Sequence, residues 1–318
     1  MLNSIPARQN DDDIVNLIAA SKYLYSRTKV LLGIYFFLSV VLVVFFSLIS
    51  TLVSNDYFVQ VSGIEKKDIS SWVSSYSLVV VAFSKMFLVG YIERSKVLAA
   101  KFQEAADRKL FGLKWDDSIL GGKVCQSLVF RYSQKLFKKE GRHNVEDWYP
   151  NEIEGLPVSY QALVCQYSCL SWDLSLRNRY NLLLLFAAFF IAFIIFVMAF
   201  WGDMRVSSIF VNLIAIVAPV TSFGFDVYKG NNDSISNVKA LRSSWDEFFN
   251  SEMKDLDVSG ARAMVEKIQV HLYNKRKSDF PIPDSIYNHF RTGQQEEMFH
   301  TAKTLAGELY DKINGKKS

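Results

Sequence analysis

The sequence is poor in cysteine. The three it has, Cys125, Cys165 and Cys169, are an odd number with no Cys-x-x-Cys pair among them, and the four histidines are scattered. A disulfide framework and a zinc site are therefore not indicated. A surplus of one charge is also lacking, since 36 lysines and arginines stand against 32 acids for a net charge of +4. That near-balance gives no argument for nucleic acid as a partner. Catalytic signatures are absent as well. Gly121-Gly122-Lys123 does not have the spacing of a phosphate loop, and there is no Gly-x-Ser-x-Gly or His-Glu-x-x-His. Asp11-Asp12-Asp13 reads as the acidic start of a helix, where carboxylates meet the positive end of the dipole, rather than as a metal site. No enzymatic activity, cofactor or metal is expected.

Charge is most conspicuously missing from four apolar blocks. The chain is 50% hydrophobic with a mean hydropathy of +0.10, and its Leu, Ile, Val and Phe cluster instead of spreading through amphipathic segments. Val30 to Val53, Asn181 to Trp201 and Val206 to Phe225 carry no charge at all. Each is long enough, at about 1.5 Å per residue, to cross a hydrocarbon core of about 30 Å. Ile69 to Ile92 is apolar apart from Lys85 and a serine-rich outer end. It reads as a span because the chain must return to the side that holds the remaining basic residues. The first block begins behind a long polar leader and is read as a retained helix, not a cleaved signal. The expected fold is an all-α integral membrane protein with four transmembrane helices in two hairpins and an α-helical cytoplasmic domain. The parts are an N-terminal helix (1–29), hairpin 1 (30–92), a central helical region (93–180), hairpin 2 (181–225) and a C-terminal helical region (226–318).

Orientation follows from the basic residues. The leader has Arg8, Lys22, Arg27 and Lys29, whereas the two outer connections hold only Lys66, Lys67 and Arg205. Fourteen lie in 93–180 and fourteen more in 226–318. Both termini and the central region are thus expected in the cytoplasm, with the chain crossing the membrane several times. Span two is expected to continue as a helix as far as Gly112, and Lys123 to Lys139 to form another that Gly141 ends. No proline or glycine interrupts Val158 to Trp201, which predicts one helix from the cytoplasm into span three. Asp233 or Ser234 is expected to cap a separate helix, Ser259 the next. Phe280-Pro281-Ile282-Pro283-Asp284 must break before a last helix from about Ser285 to Ile313. Within the spans Lys85, Asn212 and Pro219 are candidate pore or gating residues. For Lys85 the plainer reading is snorkelling to the headgroups, for Asn212 helix packing, and for Pro219 a kink.

Several blocks together resemble a known family. They are Ile5-Pro6-Ala7-Arg8-Gln9-Asn10, Leu17-Ile18-Ala19-Ala20, Leu110 to Trp115, Asp147-Trp148-Tyr149-Pro150, Leu156-Pro157 through Cys165-Gln166, Trp172-Asp173, Leu176-Arg177 and Pro281 to Asp284. In order and with four spans, they resemble the SMODS-associated four-transmembrane effectors of bacterial antiphage operons. Tyr167 stands where that pattern has a basic residue. The resemblance implies a pore in the lipid bilayer of a bacterial inner membrane, with a cyclic oligonucleotide as regulatory ligand and abortive infection as outcome; because four helices per chain are too few to enclose a wide pore, a homo-oligomer is expected. Aromatic faces for bases and cations for phosphates would serve such a ligand. The candidates are Trp115, Arg131, Lys135, Arg142, Trp148, Tyr149, Arg177, Arg262, Arg276 and Arg291. For each the plainer reading is packing or a solvated surface. Two other readings stay open: a membrane-anchored nucleotide sensor that recruits a partner without conducting, and a small-solute transporter.

Overall fold

The computed structural model describes residues 4–201, 206–251 and 258–315, and among them there is no strand. The helices in chain order are α1 (Ile5–Arg8), α2 (Asp12–Phe36), α3 (Leu42–Ser54), α4 (Asp56–Ser62), α5 (Ser70–Phe83), α6 (Val89–Phe111), α7 (Asp117–Leu120), α8 (Gln126–Glu140), α9 (Val158–Trp201), α10 (Val206–Ser251), α11 (Val258–Ser278) and α12 (Asp284–Gly315). Two π-helical turns, Phe37–Val41 and Ser84–Leu88, join α2 to α3 and α5 to α6. The chain divides into two compact units. One comprises Met1–Lys29, Glu93–Asn178 and Asp233–Ser318, the other Val30–Ile92 and Arg179–Asn232.

The first unit has a large core drawn from α1, α2, α6 and α8 to α12, centred on Leu17, Phe102, Leu163, Val238, Ile268 and Leu309. Its assembly depends on specific polar caps. Gly112 ends α6 in the left-handed region (φ 68°), and Leu113 N–H donates back to the Arg108 carbonyl at 2.8 Å, a Schellman closure. Arg8 donates to the last carbonyls of α6, those of Lys109 and Leu110. Gln9 brackets the backbone of Tyr149, accepting from its N–H at 2.8 Å and donating to its carbonyl at 3.1 Å. Asn10 accepts from Asp147 N–H at 3.0 Å and donates to its carboxylate at 2.8 Å, which supports a non-glycine residue at φ 51°. The short motif that opens the chain is thus a clasp on the loop before α9. In that loop, a Cβ on Gly155 would sit 2.0 Å from the Tyr310 hydroxyl of α12, so any side chain there would displace Tyr310.

The second unit has the reverse of a water-soluble pattern. Small residues are inside: Val40, Val43, Ser47 and Ser50 on the first arm of its helical hairpin, Val73, Ser77, Val80 and Ser84 on the second, all buried. They recur at three- and four-residue steps, so they form one seam along each helix. Tyr76 ties the pair by donating to the Leu38 carbonyl at 3.1 Å. Large apolar residues are outside, with Leu78 72% and Phe189 74% exposed, and Phe83, Phe87, Phe186 and Phe190 also exposed. Water would not tolerate such a surface, whereas lipid would.

Three helices among the described residues are long and apolar enough to cross a membrane: Asp12–Ser54, Ser70–Phe111 and Val158–Ile194. Most side chains of the fourth expected span, those of Asn212 and Pro219 among them, lie outside the described residues, as does the turn 202–205. One expectation is corrected. No cap interrupts the chain at Asp233 or Ser234, because α10 runs unbroken from Val206 to Ser251. Val227, Asn231, Ser234, Ile235 and Val238 continue one buried face across the expected boundary, and this tertiary burial overrides the local capping preference.

Candidate functional site

The first unit carries two charged clusters in its interior, and both are built on α11. In one, the buried Gln269 amide donates to Glu104 at 2.8 Å and to Asp107 at 3.0 Å, and Gln166 of α9 donates to its oxygen at 2.9 Å. Arg108 pairs with Glu104 at 2.6 Å, and Arg276 with Asp107 at 2.6 Å. Burial pushes the Glu104 carboxyl up in spite of the nearby Arg276 and Arg108. Asp107 and Glu104 hold the Arg276 guanidinium above its ordinary range against the effect of burial.

The second cluster lies one turn along α11. Arg177 of α9 donates to Asp173 of its own helix at 3.0 Å and to Asp279 at 2.7 Å, with a further bond to the Phe280 carbonyl at 3.3 Å. Lys275 donates to Asp173 at 2.5 Å and also to Asp279. Arg177 and Lys275 are 4% and 7% exposed, so each would be costly without its carboxylates. Burial raises the Asp173 carboxyl, but Arg177 and Lys275 outweigh it and hold the group well below the usual carboxylate range. The cluster fixes the middle of α9 to the end of α11 at the break before α12.

Of the ten ligand-binding candidates, Arg177 and Arg276 are brought together through adjacent residues of α11. The others have separate partners. Trp115 donates to the Gly121 carbonyl at 3.0 Å and lies under Lys101. Trp148 packs tilted against Trp172 at 5.6 Å, which reaches Tyr287 at 6.1 Å. The buried Tyr149 places its hydroxyl 3.6 Å from the Cys169 sulfur. Arg142 bridges Asp12 and Glu146, and Arg262 donates to the Gly112 carbonyl. Lys135 lies over Tyr23 and Tyr132, Arg131 is exposed, and Arg291 lies near Tyr287. In the second unit Lys85 is exposed on the π-helical turn Ser84–Leu88. The missing cation beside Tyr167 is supplied from elsewhere: Arg242 of α10 donates to its hydroxyl at 2.7 Å and stacks on its ring. Sequence reasoning missed Glu104, Asp107, Lys275 and Asp279. The available signal was the Lys275–Asp279 spacing, together with Gln269 in an otherwise apolar stripe.

A helical protein whose first unit carries charged clusters in its interior and whose second unit turns its large apolar residues outward is a membrane protein. Residues 3–305 match the SMODS-associating 4TM effector domain, and the chain belongs to that family. It is 22% identical over 284 residues to a protein of Bacillus cereus (strain VD146) described as a probable CBASS effector molecule, a match covering 88% of this chain and 90% of that one. No solved structure matches the chain.

Proposed function

We propose that this protein is a membrane effector of bacterial antiphage defence. A cyclic nucleotide messenger controls it, and its active state breaches the inner membrane, ending in abortive infection. It would act as four spans in two hairpins, termini in the cytoplasm, without enzymatic activity or cofactor. Family membership and the naming of the Bacillus relative support the defence role. The observation that carries the membrane step is the inverted second unit, with a serine and valine seam inside and phenylalanines outside. Four helices per chain are too few to enclose a wide pore, so conduction would run between copies in a homo-oligomer.

The test is dye release from liposomes holding the purified full chain, with cyclic di- and trinucleotides added in turn. A change in release rate of tenfold or more with one of them, in either direction, is expected. No release under any condition, together with nucleotide binding, would instead favour a sensor that recruits a partner. Release of a small solute without dye would favour a transporter.

A further inference from the structure

A cavity of about 280 Å³ lies between α10 and α11, wholly within the first unit and distinct from every ligand candidate read from the sequence. One stripe of α11 faces it. Lys267, His271, Asn274 and Lys275 recur there at helical spacing, opposite Asn237 and Ser244 of α10. The floor is apolar, formed by Leu241 and Ile268, both buried. No carboxylate is among its lining residues. Cations, carboxamides and an apolar floor are the groups that phosphate, base edge and base face respectively need. The volume falls just under that of usual small-molecule sites, about 300–1,000 Å³, so the cavity can take no more than one nucleotide unit of a larger ligand and leaves the rest outside.

We propose that this cavity binds one nucleoside phosphate unit of a phosphate-linked nucleotide, with Lys267 and His271 on the phosphate and Asn237 and Asn274 on the base. The proposal rests on the messenger-controlled reading above and gives that messenger its place. It also gives it a route. Lys275 lines the cavity with its ammonium already held by Asp173 and Asp279. A phosphate competing for that ammonium loosens the grip on Asp173 and shifts the cluster toward the Arg177 pairings on α9. The shift can be no larger than the ligand's difference in affinity for the two arrangements.

The full chain in detergent is titrated calorimetrically with AMP, cyclic diadenosine monophosphate and inorganic phosphate. Lys267→Glu, Asn274→Asp and Lys267→Arg are titrated alongside, each checked for an unchanged melting temperature. The two nucleotides are expected to bind, with a tenfold or greater loss in Lys267→Glu and Asn274→Asp and recovery in Lys267→Arg. Nucleotide binding that all three variants retain overturns the cavity as the site while leaving messenger control standing. Phosphate binding as tightly as AMP overturns the nucleotide assignment. No binding by the wild type overturns the proposal, and only if its dye release is also unresponsive does messenger control fall with it.

Discussion

Asp173 is the residue on which two buried cations depend. Replacing it with Asn leaves Arg177 and Lys275 to share Asp279. Removing one partner of a buried pair typically costs about 3–5 kcal/mol. Asp173→Asn is therefore expected to lower the stability of the chain by about 3 kcal/mol in denaturant titration. The pH dependence has a definite sign. Asp173 titrates lower in the fold than in the unfolded chain, where a carboxyl is near about 3.9. Its contribution is present above that value and is lost as pH falls through the folded one. Glu104 acts oppositely, because burial raises it and protonation favours the fold. Wild type should lose stability on acidification below about pH 4, and Asp173→Asn should show a flatter acid limb. A steeper limb in the variant would contradict this assignment. Thiol chemistry separates by the same logic. Ser127 and the N–H groups at the start of α8 lower the Cys125 thiol, which is exposed, whereas burial pushes the Cys165 and Cys169 thiols up. Maleimide at pH 7 should label one thiol per folded chain, at Cys125, and three after unfolding. Modification of Cys165 in the native protein would show that its core opens.

The hairpin seam gives a test at the level of the element, because composition and packing predict opposite outcomes there. On hydropathy alone Ser77→Leu should strengthen a membrane span. In the seam Ser77 is 4% exposed, against helix partners chosen for small size. Overpacking of a filled interior costs about 1–3 kcal/mol. Ser77→Leu is expected to destabilise by that amount in detergent unfolding and Ser77→Ala by less than about 1 kcal/mol. A stabilised Leu variant would mean that the seam has room. The seam was not legible in the sequence, where the serines only made span two look weak. Its π-helical turns were hidden too. By contrast α9 was readable from end to end, because an unbroken run without proline or glycine leaves the chain no local alternative to helix. The break at Pro281-Ile282-Pro283 was readable for the converse reason. The join inside α10 was misread because Asp233 and Ser234 have good capping chemistry, and only the buried face running through them shows that it is unused. In the candidate site the Asp173–Arg177 pair was visible as an i,i+4 spacing. Its partners Lys275 and Asp279 lie about a hundred residues away, and only the fold brings them near.

For the whole molecule the central fact is that α9 contributes to both compact units, with the division falling between Asn178 and Arg179. On the first side Asp173 and Arg177 anchor it to α11. On the second, Asn181 donates to Asn232 at 2.6 Å and accepts from Asn231 at 2.7 Å, fixing it to α10. A helix held at both places transmits a rotation or tilt only while its hydrogen-bond ladder is intact. Asn178 is exposed and contributes no side-chain bond among those described, so a substitution there acts on the backbone alone. Proline at that position removes one rung and clashes with the carbonyl a turn earlier, at about 3 kcal/mol. Asn178→Pro should therefore keep nucleotide binding, which belongs to α10 and α11, and lose at least tenfold of the nucleotide-dependent change in dye release. Asn178→Ala, which keeps the ladder, should behave as wild type in both assays. If the proline variant responds to nucleotide like wild type, α9 is not the element that couples the messenger to the membrane. The coupling would then have to pass through α10, the other long helix with residues in both units.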